Sequence, residues 1–265
     1  MCRHAPTKNI LPAAIFCVLV LLNGCATVSE APSSLQKPGS SRKGLAVLNF
    51  QNATSKERAD RFQPWEHGIA TMLVTDIQSV GGLNIVSRDR LRDILDEQAL
   101  QYSGLVDPDT AVRLGKMVAA HYILTGSFTE INGELRVEAQ VFSVEEGRLL
   151  GAAAVSGATD RFFELEKELV FKISKHLEMV LTEDEKIRLA GAVETRSVNA
   201  SLSNYAGEIA AIRADDLFKQ GKGKEAREVL DDARNNFKKA LAFDPEYERA
   251  KRNLTNIIRA VPLTL

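Results

Sequence analysis

Two segments with one apolar face each, separated by only two residues, restrict the fold of this chain more than any other feature. Residues 122–131 and 134–144 flank Asn132-Gly133, a pair typical of the type I′ turn, in which both central residues take a positive φ. A two-residue turn pairs Ile131 with Glu134. In that register the facing apolar pairs are Phe128 with Val137, Gly126 with Ala139, and Leu124 with Val141. Turn chemistry and face pattern agree independently, so the sequence predicts an antiparallel hairpin.

The segments around the hairpin predict an α/β domain with a mixed sheet over residues 44–182. Further strands are predicted from short apolar or small-residue runs, at 44–50, 83–86 and 149–158. Helices are predicted from apolar stripes and from the N-cap pair Asp107-Pro108, at 64–80, 88–100, 107–118 and 162–180. The polar residues 51–63 are predicted to form a loop.

Apolar stripes identify the residues expected in the core. Trp65 lies at the start of the stripe of the first long helix, so we expect it to pack in the core rather than to serve as a binding anchor. The last predicted helix of the domain is expected to turn one side inward, formed by Phe162, Leu165, Leu169, Ile173, Leu177 and Val180.

The C-terminal part of the chain is predicted to be all-α. Thr182 to Glu185 has the pattern of a capping box and leads into a connector over residues 183–196. Residues 197–260 have the spacing of a tetratricopeptide-like segment, carried by Gly221, Ala233, Phe237, Ala240 and Pro245. Only one repeat is visible, whereas about three are normally needed for independent stability. We therefore expect the segment to pack on the α/β domain or on another subunit, and a generic helical hairpin stays open as the alternative.

The first 25 residues have the pattern of an export signal. A basic start precedes an apolar run at 10–22, and the segment contains all three cysteines, Cys2, Cys17 and Cys25. Leu22-Asn-Gly-Cys25 resembles a bacterial lipobox. This resemblance implies that residues 1–24 are a lipoprotein signal peptide and that acyl chains such as palmitate are attached to Cys25. An ordinary secretory signal with an incidental cysteine is the alternative.

The residues after the signal predict a tether at a membrane. Residues 25–43 are rich in Ser, Pro and Gly, a composition that cannot bury a core. Ala26 rather than Asp follows the cysteine, which by resemblance to lipoprotein sorting signals implies the outer membrane. We therefore expect a lipid anchor on the periplasmic face of the outer membrane.

The residues that usually carry chemistry do not assemble into a recognisable active site. The four histidines lack the spacing of metal ligands; they are His4, His67, His121 and His176. Gly221-Lys-Gly-Lys lacks the rest of a phosphate-binding loop. The formal net charge is −1, so nucleic acid is not expected as a partner. The sequence predicts no catalytic residue, no cofactor and no metal, and the basic residues at 238–239 and 249–252 are interpreted as a solvated face.

Six short segments, in this order, carry a family resemblance: Leu45–Phe50, Ile69–Thr75, Val86–Arg88, Arg90–Gln98, Tyr122–Ser127, and Arg136–Val144 followed by Glu146-Gly147. Together they resemble the CsgG family of curli-secretion lipoproteins and its FlgO-like, LpoB-like and TolB amino-terminal-like relatives. The resemblance covers residues 44–182 and implies the α/β fold of that family. Its motifs are structural rather than catalytic, so it also implies a protein that is not an enzyme.

The sequence departs from curli pores where those proteins insert two amphipathic hairpins into the membrane. The first such position is occupied by the tight Asn132-Gly133 turn, and the second leads from Ala158 almost directly into a helix. The sequence therefore predicts the periplasmic domain of the family without its pore.

The expected function is that of a non-enzymatic outer-membrane lipoprotein acting as a periplasmic assembly, scaffold or protein-interaction factor. Its expected partners are the outer membrane, through the lipid anchor, and periplasmic or envelope proteins, while a homo-oligomer stays open. Two alternatives remain. One is a component of a curli-like outer-membrane secretion channel, and the other is an activator of a peptidoglycan synthase, as in the LpoB-like branch.

Overall fold

The structure is a computed structural model that describes residues 42–97 and 107–260. The predicted signal peptide, the tether up to residue 41 and Cys25 lie outside the described residues, and so do residues 98–106 between two helices. The described residues belong to one compact unit. None of the helices in these two ranges is long and apolar enough to cross a membrane.

The described residues form a mixed sheet. Its strands are β1 (Gly44–Val47), β2 (Gln51–Asn52), β3 (Asn84–Ile85), β4 (Tyr122–Ile131), β5 (Glu134–Ser143) and β6 (Arg148–Ala158). The order is β3-β1-β4-β5-β6, and β2 pairs with the far part of β4. The pairs among β1, β2, β3 and β4 are parallel, whereas β4, β5 and β6 form an antiparallel meander. The predicted α/β class with a mixed sheet is therefore confirmed.

The hairpin has the predicted register. Ile131 pairs with Glu134, and every predicted apolar pair is found. Asn132 has φ +53° and Gly133 has φ +89°, as the type I′ turn requires. Gly126 on β4 allows a close approach, because a Cβ there would lie 2.3 Å from Cε1 of Phe50 and 2.1 Å from the backbone oxygen of Glu138.

The helices cover both faces of the sheet and continue beyond it. They are α1 (Lys56–Phe62), α2 (Pro64–Val80), α3 (Arg88–Glu97), α4 (Pro108–Met117), α5 (Phe162–His176), α6 (Glu183–Gly191), α7 (Val198–Lys219), α8 (Gly223–Phe243) and α9 (Glu248–Ala260). Two predicted helix N-termini are confirmed in detail. The Asp107 side chain accepts a hydrogen bond from the N–H of Thr110, and Thr182 and Glu185 form a reciprocal capping box.

Two apolar clusters lie on opposite faces of the sheet. Helices α2 and α5 pack on Leu45 and Leu124, while α3 and α4 pack on Ala46 and Ile123. Trp65 is fully buried and its ring stacks on Phe162 at a centroid distance of 3.9 Å. The prediction that Trp65 belongs to the core is confirmed.

Two details of the predicted α/β domain are wrong. Residues 51–63 are not a loop, because they form β2 and α1. In α1 only Phe62 is buried, so the segment lacks the repeated apolar pattern by which a helix is recognised in a sequence. Val180 is 91% exposed rather than inward. Helix α5 ends at His176, and Glu178 then takes φ +56°, which sends the chain in a new direction.

Helix α5 also contacts the outer side of β6, the last strand of the described sheet. Nζ of Lys172 donates to the backbone oxygen of Ala154 at 2.8 Å, and Nε2 of His176 lies 3.2 Å from the backbone oxygen of Ala152. The alternation that follows from the hairpin register turns both carbonyl groups away from β5. Two side chains of α5 therefore reach around this side of the sheet.

The all-α character of the C-terminal segment is confirmed, and α7 packs directly on α2. Tyr205 of α7 is fully buried in the same apolar cluster as Trp65. Gly68 of α2 makes this contact possible, since a Cβ there would lie 2.5 Å from Cδ2 of Tyr205. Gly221, with φ +77°, lies in the turn between α7 and α8. The helical hairpin is thus shown, while the repeat assignment stays a prediction.

Candidate functional site

A groove of about 660 Å³ lies between α2, α3 and α7. It opens beside Leu48 and Asn49, at the carboxyl end of β1. In sheets with parallel strands this is the end at which ligand sites usually lie. Because α7 supplies one wall, the α/β part of the chain and the helical segment build the groove together.

The groove is lined by apolar side chains together with polar side chains and charged groups of both signs. The apolar side chains are Leu48, Leu91, Leu95, Ile209 and Ile212. Ile209 is 38% exposed, so the apolar stripe of α7 passes from the core at Tyr205 to an open surface. Apolar side chains beside convergent polar groups are a feature of binding sites.

His67 lies at the centre of the polar contacts of the groove. Nη2 of Arg88 lies 3.2 Å from its Nδ1, and Oε2 of Glu208 lies 3.2 Å from its Nε2. Because a guanidinium group can only donate, we assign the proton of the neutral ring to Nε2, which then donates to Glu208. Oγ1 of Thr71 donates to the backbone oxygen of His67 at 2.9 Å. His67 therefore connects α3 to α7.

Glu208 is held as a carboxylate on the α7 side. Asn204 and Asn253 donate to its Oε1 at 3.0 and 2.9 Å. Burial alone would raise the pKa of Glu208, but the hydrogen bond from His67 and the charge of Arg249 outweigh it and hold that pKa below its usual value. The negative charge of the network is thus fixed in the helical segment.

Arg88 provides the positive charge on the α3 side. Its Nη2 also donates to the side-chain oxygen of Asn49. Burial lowers the pKa of Arg88 to about 10, against the opposing effect of Glu208. Nε and Nη1 of Arg88, and Nε of Arg92 one turn later, are buried and have no acceptor among the described residues. Both arginines line the groove.

A second buried polar cluster joins α2 to α5. Nζ of Lys167 lies 2.5 Å from Oδ2 of Asp76 and 3.2 Å from Oε2 of Glu166. Burial, and then the neighbouring Asp76, raise the pKa of Glu166 to about 8. The cluster lines a smaller cavity of about 290 Å³, which also contacts Arg249.

Arg249 corrects the interpretation of residues 249–252 as a solvated face. Its side chain is only 16% exposed. It donates to Glu194 at 2.6 Å and to Oγ1 of Thr75 at 3.3 Å. The arginine therefore turns inward and links α9 to α2, an arrangement that depends on partners distant in the sequence.

The other residues singled out from the sequence are not brought together. Cys25 lies outside the described residues. His121 accepts a hydrogen bond from the N–H of Gly44 at 2.9 Å, and His176 contacts β6, so neither reaches the groove. Within residues 42–97 and 107–260 no group of His, Cys, Asp and Glu could hold a metal ion. Sequence reasoning missed His67 and Arg88, because the partners of His67 lie 21 and 141 residues away.

Comparison with known proteins supports the family resemblance. Residues 29–140 match the family model described as "Curli production assembly/transport component CsgG". The predicted resemblance to the CsgG family is thereby confirmed over this part of the chain. No curated protein matches the sequence.

Several solved structures resemble parts of the chain at low identity. The LpoB C-terminal domain from Escherichia coli is 18% identical, with 46% of this chain and 87% of that chain covered and a TM-score of 0.34. Lipoprotein GNA1162 from Neisseria meningitidis is 13% identical, with 52% and 99% covered and a TM-score of 0.35. TolB from Acinetobacter baumannii is 12% identical, with 51% and 28% covered and a TM-score of 0.35. Similarities at these scores assign neither a fold nor a function.

Proposed function

Since the resemblance to the CsgG family is confirmed over residues 29–140, we propose that this chain is a non-enzymatic lipoprotein of the bacterial outer membrane that binds periplasmic or envelope proteins. In this proposal residues 1–24 are removed, Cys25 carries the acyl chains, and residues 25–43 tether the folded part to the periplasmic face. The acyl chains hold it at the membrane. The α/β domain (44–182), the connector (183–196) and the helical segment (197–260) then act as an assembly or scaffold factor.

The groove between α2, α3 and α7 is the observation that carries the proposal. A protein-binding surface needs apolar side chains that a partner can cover and polar groups that fix its orientation. Ile209 and Ile212 supply the first, and Arg88 and Arg92 supply the second. Because His67 and Glu208 join the walls, the groove exists before a partner arrives, which lowers the entropic cost of binding.

The connections of the sheet favour this role over that of a secretion channel. The turn between β4 and β5 contains only Asn132 and Gly133, and β6 is followed within a few residues by α5. These are the two positions at which curli pores carry their membrane hairpins. Activation of a peptidoglycan synthase would be a special case of the proposed role, with the synthase as the partner.

The proposal can be tested by crosslinking the tagged full chain in native bacterial envelopes. We expect the wild-type chain in the outer-membrane fraction, crosslinked to a reproducible set of envelope proteins. A Cys25→Ser chain is expected to leave that fraction. If Cys25→Ser stays in the outer membrane, the lipid anchor is refuted. If the wild-type chain crosslinks to no other protein, the scaffold role is refuted.

A further inference from the structure

We propose that the groove between α2, α3 and α7 binds a partner helix whose apolar face carries a glutamate or aspartate, and that Arg88 and Arg92 hold this carboxylate. The inference rests on the proposed function, because it names the chemistry of the protein partner.

The groove is lined by two arginines that have hydrogen-bond donors without an acceptor. Three buried nitrogen atoms, Nε and Nη1 of Arg88 and Nε of Arg92, have no acceptor among the described residues. A buried donor without an acceptor destabilises the protein, and a charged donor does so more strongly. A ligand that brings oxygen atoms to these donors removes that destabilisation, and a carboxylate does so best because it can accept several hydrogen bonds from guanidinium groups.

The carboxylates already in the groove do not meet this need. Glu66 accepts from Gln63 at 2.6 Å and from the backbone N–H of Asn52 at 2.9 Å. Glu208 is held by His67 and the two asparagines, and Asp89 reaches only Nη2 of Arg92, at 3.4 Å. Asp96 is exposed. None of these carboxylates is therefore an acceptor for the three unpaired nitrogen atoms.

The apolar side chains of the groove determine which apolar surface the ligand must present. Leu91 and Leu95 are one turn apart on α3, and Ile209 and Ile212 are three apart on α7, so each wall presents a helical row of branched side chains. A groove between two helices suits a third helix with apolar residues at positions i, i+3, i+4 and i+7. An acidic residue between these positions would reach the arginines.

The affinity of short blocked peptides for the purified full chain tests the inference. Each peptide carries Leu and Ile at i, i+3, i+4 and i+7 and one Glu on the same face, and each has a twin in which Gln replaces Glu. We expect the Glu peptide to bind about tenfold more tightly in fluorescence polarisation, the size of one charged hydrogen bond. Equal affinity of the twins would refute the role of the arginines.

Substitutions in the chain test which residues of the groove cause the preference for the Glu peptide. Arg92→Gln should remove the preference for Glu over Gln, and Arg88→Gln should do the same if it folds. Arg148→Gln is the matched control, since Arg148 is exposed and paired with Glu146 away from the groove. Ile209→Glu, at an exposed position, should abolish binding of both twins with the melting temperature unchanged. Unaltered binding by Arg92→Gln or Ile209→Glu would contradict the proposal.

Envelope crosslinking with the same variants separates this inference from the proposed function. If Ile209→Glu crosslinks to the same envelope proteins as the wild type, the groove is not the binding site, although the scaffold role stands. If the wild type crosslinks to no protein while the peptides bind with the expected preference, the scaffold role fails and the chemistry of the groove stands.

Discussion

The indole Nε1 of Trp65 in α2 donates a hydrogen bond to Oγ of Ser201 in α7 at a distance of 3.2 Å, across 136 positions of the chain. Both side chains are fully buried. The core of the α/β part and the start of the helical segment therefore share a polar contact inside one apolar environment.

Ser201→Ala should lower the free energy of unfolding by about 1–3 kcal/mol, because it leaves the buried indole N–H without an acceptor. The gain in helix propensity from alanine offsets a small part of this loss. Ser203→Ala is the control, since Ser203 lies in the same helix and is also buried. Chemical denaturation measures both changes. Equal stability of the two variants would mean that the contact contributes nothing.

Gly68→Ala should destabilise the contact between α2 and α7 by about 1–3 kcal/mol, the usual cost of overpacking. The added Cβ would lie 2.5 Å from the ring of Tyr205. Gly191→Ala is the matched control, because Gly191 ends α6 and has nothing within 4 Å of the added carbon. The melting temperatures of the two variants are measured by thermal unfolding and compared. A melting temperature of Gly68→Ala equal to that of the control would refute this packing.

Gly133→Val should destabilise the chain by about 1–2 kcal/mol, because a β-branched residue is strained at φ +89°. No neighbouring atom lies within 4 Å of a Cβ at this position. The loss of stability therefore comes from backbone strain and not from a steric clash. Glu134→Val places the same side chain at the next position, where a strand conformation suits valine. An unchanged unfolding midpoint for Gly133→Val would show that the turn adapts without cost.

The free energy of unfolding should fall as the pH rises from about 4.5 to about 8, through the contribution of Glu166. Its pKa is about 8 in the folded chain, against an ordinary value of 4.5, so between these values the folded state keeps a proton that the unfolded state has released. Glu166→Gln should remove this part of the pH dependence. Denaturation curves at both ends of the range measure it, with the exposed Glu164→Gln as control. A slope unchanged by Glu166→Gln would contradict the raised pKa.

Local chemistry explains which parts of the fold could be predicted from the sequence. The Asn132-Gly133 turn, the Asp107 N-cap and the capping box at Thr182 depend on residues a few positions apart, so their signals are complete in the sequence. The groove depends instead on contacts between distant elements. His67 and Arg88 carry no motif, and Glu208 reaches His67 because Gly68 lets α7 approach α2.

Arg249 is a second residue whose contacts could not be predicted from the sequence. Glu248, Lys251 and Arg252 nearby in the sequence are charged, so the segment has the composition of a solvated helix face. Only the position of α9 beside α2 gives Arg249 its contacts with Glu194 and Thr75. Charge in a sequence therefore indicates that a side chain needs a partner, and the fold decides whether that partner is water.

The contacts of Lys172 and His176 with β6 have a consequence for contacts between molecules. A terminal strand rich in alanine and glycine is a template on which an extended segment of another chain can add, and such addition leads to aggregation. An incoming strand needs the carbonyl groups of Ala152 and Ala154, and both are already engaged by α5. Helix α5 thus supports the core with one side, and with two basic side chains it hinders the growth of the sheet into a cross-β assembly.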